Sequence, residues 1–188
     1  MNRLAVRLWG PACLAILRLA QRYGNERSIR RCNQIGSIRE IGFQFEVANQ
    51  GFISIGDGIS ISNRVLLSCY RGGSIKIGHN CFLGDNLIVA SARAEISIGD
   101  DCLISEDVSI RAGNHGTKAG TLIRLQPTTL KNIQIGNDVW IGKGVSVIAG
   151  AIISDGCVIG PNSVVLGETE PGMIYVGSPI RKIMARAS

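Results

Sequence analysis

The chain has 188 residues, of which 45% are hydrophobic but only 5% are aromatic, and it contains 24 glycines. A globular α/β enzyme uses more rings to fill its core, so this composition favours a narrow aliphatic core repeated along an axis. The net charge of +6 belongs to residues 1–40, which carry eight arginines against Glu26 and Glu40, whereas residues 41–188 carry twelve basic and twelve acidic side chains. Because aromatic residues are not interleaved with the arginines, nucleic acid is not an expected partner.

Residues 1–34 are predicted to form a basic helical segment. The apolar run from Leu8 to Leu17 is too short to span a bilayer, and no small-residue cleavage site follows it, which disfavours a signal peptide. On one helix, four arginines would share a sector of roughly 100°: Arg3, Arg7, Arg18 and Arg22. Such a sector suits an acidic membrane surface, but Gly10-Pro11 would interrupt it. A cap on the end of a repeat array is the alternative.

From Ile35 the chain repeats every six residues, and each hexad opens with an aliphatic residue, as in "IGDGIS", "ISNRVL" and "IGHNCF". Three hexads make an 18-residue coil, often followed by a small insertion, and six coils account for residues 35–170. We expect each coil to place one short strand on each face of a triangular prism. The first aliphatic residue points into the axis, and the residue four positions later must be small. This period excludes an amphipathic helix.

Three of the six cysteines, Cys81, Cys102 and Cys157, occupy that small position. No CxxC pair or zinc-ribbon spacing is present. We therefore expect buried, reduced thiols that act as small apolar residues, which favours the cytoplasm.

The repeat stops between residues 111 and 134, in "SIRAGNHGTKAGTLIRLQPTTLKNIQIG". This loop is too long for a turn, and long loops in compact domains are often functional. His115 stands where the loop begins, and it is either a solvated turn residue or a functional one. The other histidine, His79, lies at a predicted coil corner and is expected to be a surface turn residue.

Residues 35 to about 183 resemble the hexapeptide-repeat acyltransferases. The most specific segment, "IGNDVWIGKGVSVIAGAIISDGCVIGPNSVVLGETEPGMIYVGSPIRKI", is similar to sugar O-acetyltransferases of the galactoside, maltose and exopolysaccharide types. The resemblance implies an all-β fold, a left-handed parallel β-helix of about six coils. It makes residues 35–188 the acyltransferase domain, with an extruded loop at 111–134 and a closing segment at 171–188. It also implies a homotrimer with active sites between subunits, to which the loop contributes.

The resemblance assigns His115 as the general base, since imidazole titrates near working pH and a hydroxyl must lose its proton as it attacks a thioester. Residues expected to contact the acceptor are Asp85, Asn86 and Asn114, although Asp and Asn also serve turns throughout this chain. Residues expected to bind acetyl-CoA, the co-substrate, are Trp140, Lys143, Pro161, Arg181 and Lys182. Leu166-Gly167 replaces the family's Thr-Lys pair, so phosphate binding would depend more on the last two cations.

No metal is expected, because the chain has only two histidines and zinc-dependent members of this fold need three. The leading hypothesis is a cytoplasmic, acetyl-CoA-dependent sugar O-acetyltransferase in surface polysaccharide biosynthesis, with peripheral association at the inner membrane face left open for residues 1–34. The alternatives are N-acetylation of an aminosugar nucleotide and a non-catalytic hexapeptide-repeat scaffold subunit.

Overall fold

The chain winds into a β-solenoid of about six turns that follows one helix. The computed structural model describes the backbone of residues 11–187 and the side chains of residues 19–187. Helix α1 spans Pro11–Ile29, with the proline in the first turn, where its missing N–H costs nothing. Three arginines of the predicted sector, Arg3, Arg7 and the side chain of Arg18, lie outside the described residues. No helix within residues 11–187 is long and apolar enough to cross a membrane.

Three sheets of stacked parallel strands form the faces of the solenoid. Sheet A contains β1 (Gln34–Ile35), β4 (Phe52–Ile55), β7 (Ser74–Ile77), β10 (Glu95–Ile98), β15 (Ile133–Ile135) and β18 (Ile152–Ile153). Sheet B contains β2 (Ile38–Ile41), β5 (Ile59–Ile61), β8 (Phe82–Leu83), β11 (Leu103–Ile104), β16 (Trp140–Ile141), β19 (Val158–Ile159), β21 (Met173–Val176) and β22 (Arg181–Ala185). Sheet C contains β3 (Glu46–Asn49), β6 (Leu66–Tyr70), β9 (Ile88–Ala92), β12 (Ser109–Arg111), β17 (Ser146–Ile148) and β20 (Val164–Val165). The long loop adds β13 (Gly113–Asn114), β14 (Thr129–Leu130) and a 3-10 turn, Ile123–Leu125.

The hexad aliphatics stack in register along the axis, which confirms the predicted solenoid. Ile77 pairs with Ile98 and Ile98 with Ile135, so the row continues unbroken across the long loop. These side chains are buried, and the core is made almost entirely of Ile, Val, Leu and Cys. Burial of one aliphatic side chain contributes about 1.5–3 kcal/mol, so a thin core repeated over six coils replaces the aromatic core of a globular enzyme.

The position four residues after the aliphatic also lies inside, but the prediction that it must be small is wrong in general, because the large side chains of Phe45, Ile59 and Leu87 occupy it and are fully buried. Cys81, Cys102 and Cys157 are buried, and all five cysteines whose side chains are described are free thiols. The Cys102 thiol donates to the carbonyl of Gly136 in the next coil at 3.1 Å. The predicted role of these cysteines as small core residues is therefore confirmed.

The two ends of the solenoid are covered by different elements. At the first coil, the Asn25 amide of α1 donates to the Gly42 carbonyl at 2.9 Å, and Arg31 donates to the Val47 carbonyl at 2.9 Å. At the last coil, β21 continues sheet B beside β19, and β22 returns antiparallel to β21. Backbone hydrogen bonds from Val164 to Gly177 and from Ile180 to Val164 cover sheet C.

Candidate functional site

The predicted site residues lie mainly at the corners of the solenoid, and only residues at the same corner can be close together within one chain. We call the turns that lead from sheet B to sheet C the BC edge, which comprises residues 42–45, 62–65, 84–87, 105–108, 142–145 and 160–163. We call the turns from sheet C to the next coil's sheet A the CA edge. The long loop, residues 112–132, leaves the CA edge between β12 and β15.

His115 lies at the base of the long loop on the CA edge. The loop leaves and returns as an antiparallel ladder in which Gly113 pairs with Leu130 and Asn114 with Thr129. His115 comes directly after this ladder, and its side chain is exposed. Among the described residues, no hydrogen bond occupies the imidazole. In the neutral ring one nitrogen is a hydrogen-bond donor and the other an acceptor, and the acceptor nitrogen is available to a bound hydroxyl.

Within the loop, the side chain of Gln126 holds the backbone of residues 118–121. Its Oε1 accepts a hydrogen bond from the Lys118 amide at 2.8 Å, and its Nε2 donates to the carbonyls of Lys118 and Thr121 at 3.0 and 2.8 Å. Sequence reasoning missed this role, because a loop glutamine carries no pattern. The loop tip beyond it exposes three aliphatic side chains: Leu122, Ile123 and Leu125.

Asp85 and Asn86 lie on the BC edge in the third coil. The Asp85 carboxylate accepts hydrogen bonds from the backbone and side-chain amides of Asn63 at 2.8 and 3.1 Å. Asn86 accepts from Arg64 Nε at 2.6 Å and donates through Nδ2 to Asp107 at 2.7 Å. Both residues therefore hold neighbouring turns together, which fixes the orientation of the Asn86 amide.

A cleft opens beside Asn86 where the BC edge meets the outer face of sheet C. Its volume is about 300 Å³. It is lined by polar side chains and by a strip of aliphatic ones: Gln44, Glu46, Arg64, Asn86, Val65, Leu66 and Ile88. A shallow cleft with alternating polar and apolar walls suits a sugar ring, which offers hydroxyls on its rim and C–H groups on its faces.

Lys143 lies on the same edge two coils further on, between two carboxylates. Its Nζ is 3.4 Å from Glu106 Oε1 and 3.4 Å from Asp107 Oδ2. The Asn86 amide, together with Lys143, holds the pKa of Asp107 below its usual value. In turn Asp107, with Glu106, raises the pKa of Lys143.

Asp107 links Asn86, the expected acceptor residue, to Lys143, the expected cofactor residue, and this role was not predicted. The hexad pattern does contain a signal for it. Asp107 is the fourth residue of "ISEDVS", as Asn86 is the fourth residue of "LGDNLI", and the structure stacks these positions through the amide of Asp107 and the carbonyl of Asp85.

Trp140 lies on the outer face of sheet B, three residues before Lys143, and is 51% exposed. Its Nε1 donates to Ser105 Oγ at 3.2 Å, which holds the ring in place. Register places it in an outward apolar row that crosses five strands: Phe82, Leu103, Trp140, Val158 and Ile174. The indole is therefore a fixed apolar platform at the centre of this row.

The remaining cofactor candidates lie further along the same surface. Pro161 is exposed on the BC edge of the sixth coil. Arg181 pairs in register with Val176, at the end of sheet B next to that edge, and its side chain is exposed. Lys182 is different, because its Nζ contacts both carboxylate oxygens of Glu170 at 2.7 and 2.9 Å, and this contact raises its pKa.

The predicted site residues thus form two groups within one chain. One group lines the BC edge and the adjoining end of sheet B: Asp85, Asn86, Trp140, Lys143, Pro161 and Arg181. The other group, His115 and Asn114, lies at the CA edge. Sheet C separates the two edges, and its five-residue strand β9 spans roughly 17 Å. One chain therefore presents the expected general base on one edge and most of the expected binding groups on the other.

Comparison with known proteins gives consistent matches along the chain. Residues 132–167 match the family described as bacterial transferase hexapeptide (six repeats), and residues 74–110 match the hexapeptide repeat of succinyl-transferase. Over 183 residues the chain is 31% identical to the Escherichia coli K12 protein named "Putative lipopolysaccharide biosynthesis O-acetyl transferase WbbJ". This alignment covers 89% of this chain and 93% of that protein. It is also 31% identical over 137 residues to the galactoside O-acetyltransferase of Escherichia coli K12, covering 70% and 63% of the two chains.

A solved structure shares the fold. A variant of AntD, an N-acyltransferase from Bacillus cereus in complex with dTDP and coenzyme A, superposes with a TM-score of 0.77. The superposition covers 87% of this chain and 89% of that chain, at 22% sequence identity. At this identity the likeness concerns the solenoid architecture.

Proposed function

The chain belongs to the hexapeptide-repeat acetyltransferase family, and we propose that it transfers an acetyl group from acetyl-CoA to a sugar hydroxyl in surface polysaccharide biosynthesis. One observation carries this proposal. A free imidazole stands at the base of an extruded loop, while an apolar platform and cations line a second edge of the same solenoid. The sugar acceptor is supported by two relatives, one named for lipopolysaccharide O-acetylation and the other for galactoside O-acetylation.

In the proposed reaction, His115 acts as the general base. Its unprotonated ring nitrogen removes the proton of the acceptor hydroxyl while that oxygen attacks the thioester carbonyl carbon. The tetrahedral intermediate then collapses, the C–S bond breaks, and the imidazolium returns its proton to the departing CoA sulfur. The acetyl group passes directly between the two substrates, so no cysteine is needed as a nucleophile. The buried thiols Cys81, Cys102 and Cys157 fit that assignment.

Acetyl-CoA would lie along the BC edge. Trp140 offers an apolar surface for the pantetheine chain, Pro161 lies one coil further on, and Arg181 offers a guanidinium for the nucleotide phosphates. Lys182 contributes less to phosphate binding than Arg181, because Glu170 already neutralises its charge. Lys143 is likewise held by Asp107 and Glu106, so its role is to keep the edge ordered as much as to attract an anion.

The two groups of residues would meet between subunits of a homotrimer. The long loop exposes Leu122, Ile123 and Leu125 at its tip, and sheet B exposes the apolar row around Trp140. Exposed apolar surfaces of this kind mark contacts with partners. In a closed ring, the CA edge of one subunit can face the BC edge of the next, which would bring His115 of one chain to the cleft beside Asn86 of its neighbour.

The first test is CoA thiol release from acetyl-CoA with a panel of sugars, sugar nucleotides and aminosugars. We expect acceptor-dependent release that falls about 10²-fold or more in His115→Ala. His79→Ala is the matched control, since His79 is also exposed but accepts a hydrogen bond from the Asp57 amide at 3.0 Å on another edge. Product acetylated at nitrogen would contradict the assignment to a hydroxyl. Absence of acetyl-CoA binding would leave a scaffold role.

A second test asks whether the site is shared. His115→Ala and Asn86→Ala chains are each expected to be nearly inactive alone. In randomly mixed trimers, an interface is intact when His115 comes from one chain and Asn86 from its neighbour, so about one quarter of the wild-type rate should return. A site built within one chain would recover nothing, and co-expressed wild-type and double-variant chains give the reference.

A further inference from the structure

The outward face of α1 combines apolar and basic side chains on one surface. Asn25 and Ser28 of this helix are buried against the first coil. On the opposite face Leu19 is 64% exposed and Tyr23 is 71% exposed. At 100° per residue, Arg27 falls about 80° from Leu19, on the same side as Tyr23. Arg30 follows one residue after the end of the helix, where its amide still donates to the Glu26 carbonyl at 3.0 Å. The face turned away from the solenoid is therefore amphipathic in itself.

The cations on this face are concentrated around a cleft of about 330 Å³, lined by Tyr23, Glu26, Arg27, Arg30 and Arg31. The one carboxylate in it, Glu26, accepts a hydrogen bond from Arg22 Nε at 3.0 Å. Within the described side chains, no salt bridge engages Arg27 or Arg30. Residues 1–18, which precede this face, contain no acidic residue. The cleft thus offers guanidinium groups that no carboxylate of this helix satisfies.

The net charge of the chain is segregated along the sequence. All of the +6 surplus lies in residues 1–40, and the remaining 148 residues sum to zero. Among the described side chains, residues 19–34 carry four arginines against Glu26, next to a solenoid whose residues 35–188 sum to zero. A neutral solenoid that ends in this cationic segment will orient with the segment toward an anionic surface. Tyrosine and leucine beside arginine are the side chains that settle at a lipid headgroup boundary, where the rings and aliphatic groups enter and the cations stay with the phosphates.

We propose that the face formed by Leu19, Tyr23, Arg27 and Arg30 docks the enzyme onto an anionic phospholipid surface. Of the sector predicted from the sequence, only the Arg22 side chain is described, and it is occupied by Glu26; Arg31, beside the face, is occupied by the Val47 carbonyl. The same helix covers the first coil with one face and meets the bilayer with the other. Docking would set the solenoid on the membrane by its first coil, with the acetyl transfer site in the coils above.

The test is co-sedimentation of the full-length protein with phosphatidylcholine vesicles that do or do not contain phosphatidylglycerol. We expect binding to the anionic vesicles only. Each arginine near such a surface contributes about fivefold in affinity, so the doublet Arg27→Gln with Arg30→Gln should weaken partitioning about 25-fold. Tyr23→Ser should weaken it as well, and the ratio of the wild-type and Tyr23→Ser affinities should stay constant as added salt lowers both, since screening weakens only the charge term.

The matched control is Arg71→Gln with Arg93→Gln, which removes the same charge from two exposed arginines of the CA edge. This doublet should bind vesicles like the wild type. Equal losses of vesicle binding in both double variants would show that net charge alone causes the effect, and would overturn the proposal. Binding of the Arg27/Arg30 double variant at the wild-type level would also overturn it. Release from vesicles by inorganic phosphate, but not by chloride of equal ionic strength, would identify a free-phosphate site instead. None of these readouts requires acetyl transfer, so they stand apart from the proposed activity.

Discussion

Replacement of Gln126 by alanine should loosen the long loop without affecting the solenoid. The side chain makes three hydrogen bonds to the backbone of Lys118 and Thr121. Each is worth about 1 kcal/mol net, but Gln126 is only half-buried and water will replace part of the loss. We therefore expect the free energy of local opening to fall by about 1–2 kcal/mol.

Amide hydrogen exchange measures this opening directly. The Lys118 amide is held by Gln126 Oε1, so its exchange in Gln126→Ala should speed up roughly 5- to 30-fold, the factor that corresponds to 1–2 kcal/mol. The thermal midpoint of the solenoid should stay unchanged, since the hexad core is not touched. Acetyl transfer should fall, because His115 stands at the base of the same loop. Gln134→Ala, an exposed glutamine in β15, is the control and should leave all three quantities unaltered.

Unchanged exchange at Lys118 would refute the assigned role of Gln126. A fall in the midpoint of the whole solenoid would also refute it, because it would show that the loop and the core open together. A second variant tests the same contact from the other side. A Cβ on Gly116 would lie 2.8 Å from Gln126 Oε1 and 2.9 Å from Gln126 Cβ, so Gly116→Ala should displace the glutamine and reproduce the faster exchange at Lys118.

Three further predictions concern stability and reactivity. A Cβ at Gly99 would lie 2.5 Å from Asn137 Oδ1 and 2.7 Å from the Gly136 backbone, so Gly99→Ala should lower the free energy of unfolding in urea by about 2–3 kcal/mol. Gly24 lies inside α1 with no atom within 4 Å of an added Cβ, so Gly24→Ala should instead stabilise the helix by up to about 1 kcal/mol, seen as slower amide exchange in α1. Burial raises the pKa of the Cys32 thiol to about 11, so at pH 8 its peptide should be alkylated on the order of 100-fold more slowly than after unfolding. This raised pKa also means that the stability due to neutral Cys32 is intact below pH 9 and is lost as the pH rises toward 11. Equal alkylation rates, or a destabilising Gly24→Ala, would contradict these assignments.

The solenoid could be predicted from the sequence because its core follows a strict rule. In the six coils every sixth residue enters the axis as Ile, Leu or Val, and the residue four positions later is buried as well in most hexads, although it ranges in size from cysteine to Phe45. Cys81 and Cys102 follow that rule, and the structure buries both. The period also survives the long loop, since Ile98 and Ile135 are paired although 37 residues separate them.

The arrangement of the candidate site was harder to predict, because it depends on contacts between coils of unequal length. Asn86 meets Asp107 after 21 residues, whereas Asp107 meets Lys143 across the long loop, and a hexad period does not reveal which polar side chains will stack. The orientation of α1 has a similar cause. Asn25 fixes it by bonding to the Gly42 carbonyl, a contact with no signal in the helical pattern.

The covering of both ends of the solenoid has a consequence for solubility. A parallel β stack ends in rows of backbone N–H and C=O groups that can accept another strand, and a bare end of this kind would add further chains one on another, as in a fibre. Here α1 covers the first coil, and the chain beyond β20 fills the last one, where Gly177 and Ile180 bond to Val164. The terminal segments therefore oppose growth along the axis, so we expect assembly of this protein to use the faces and edges of the prism.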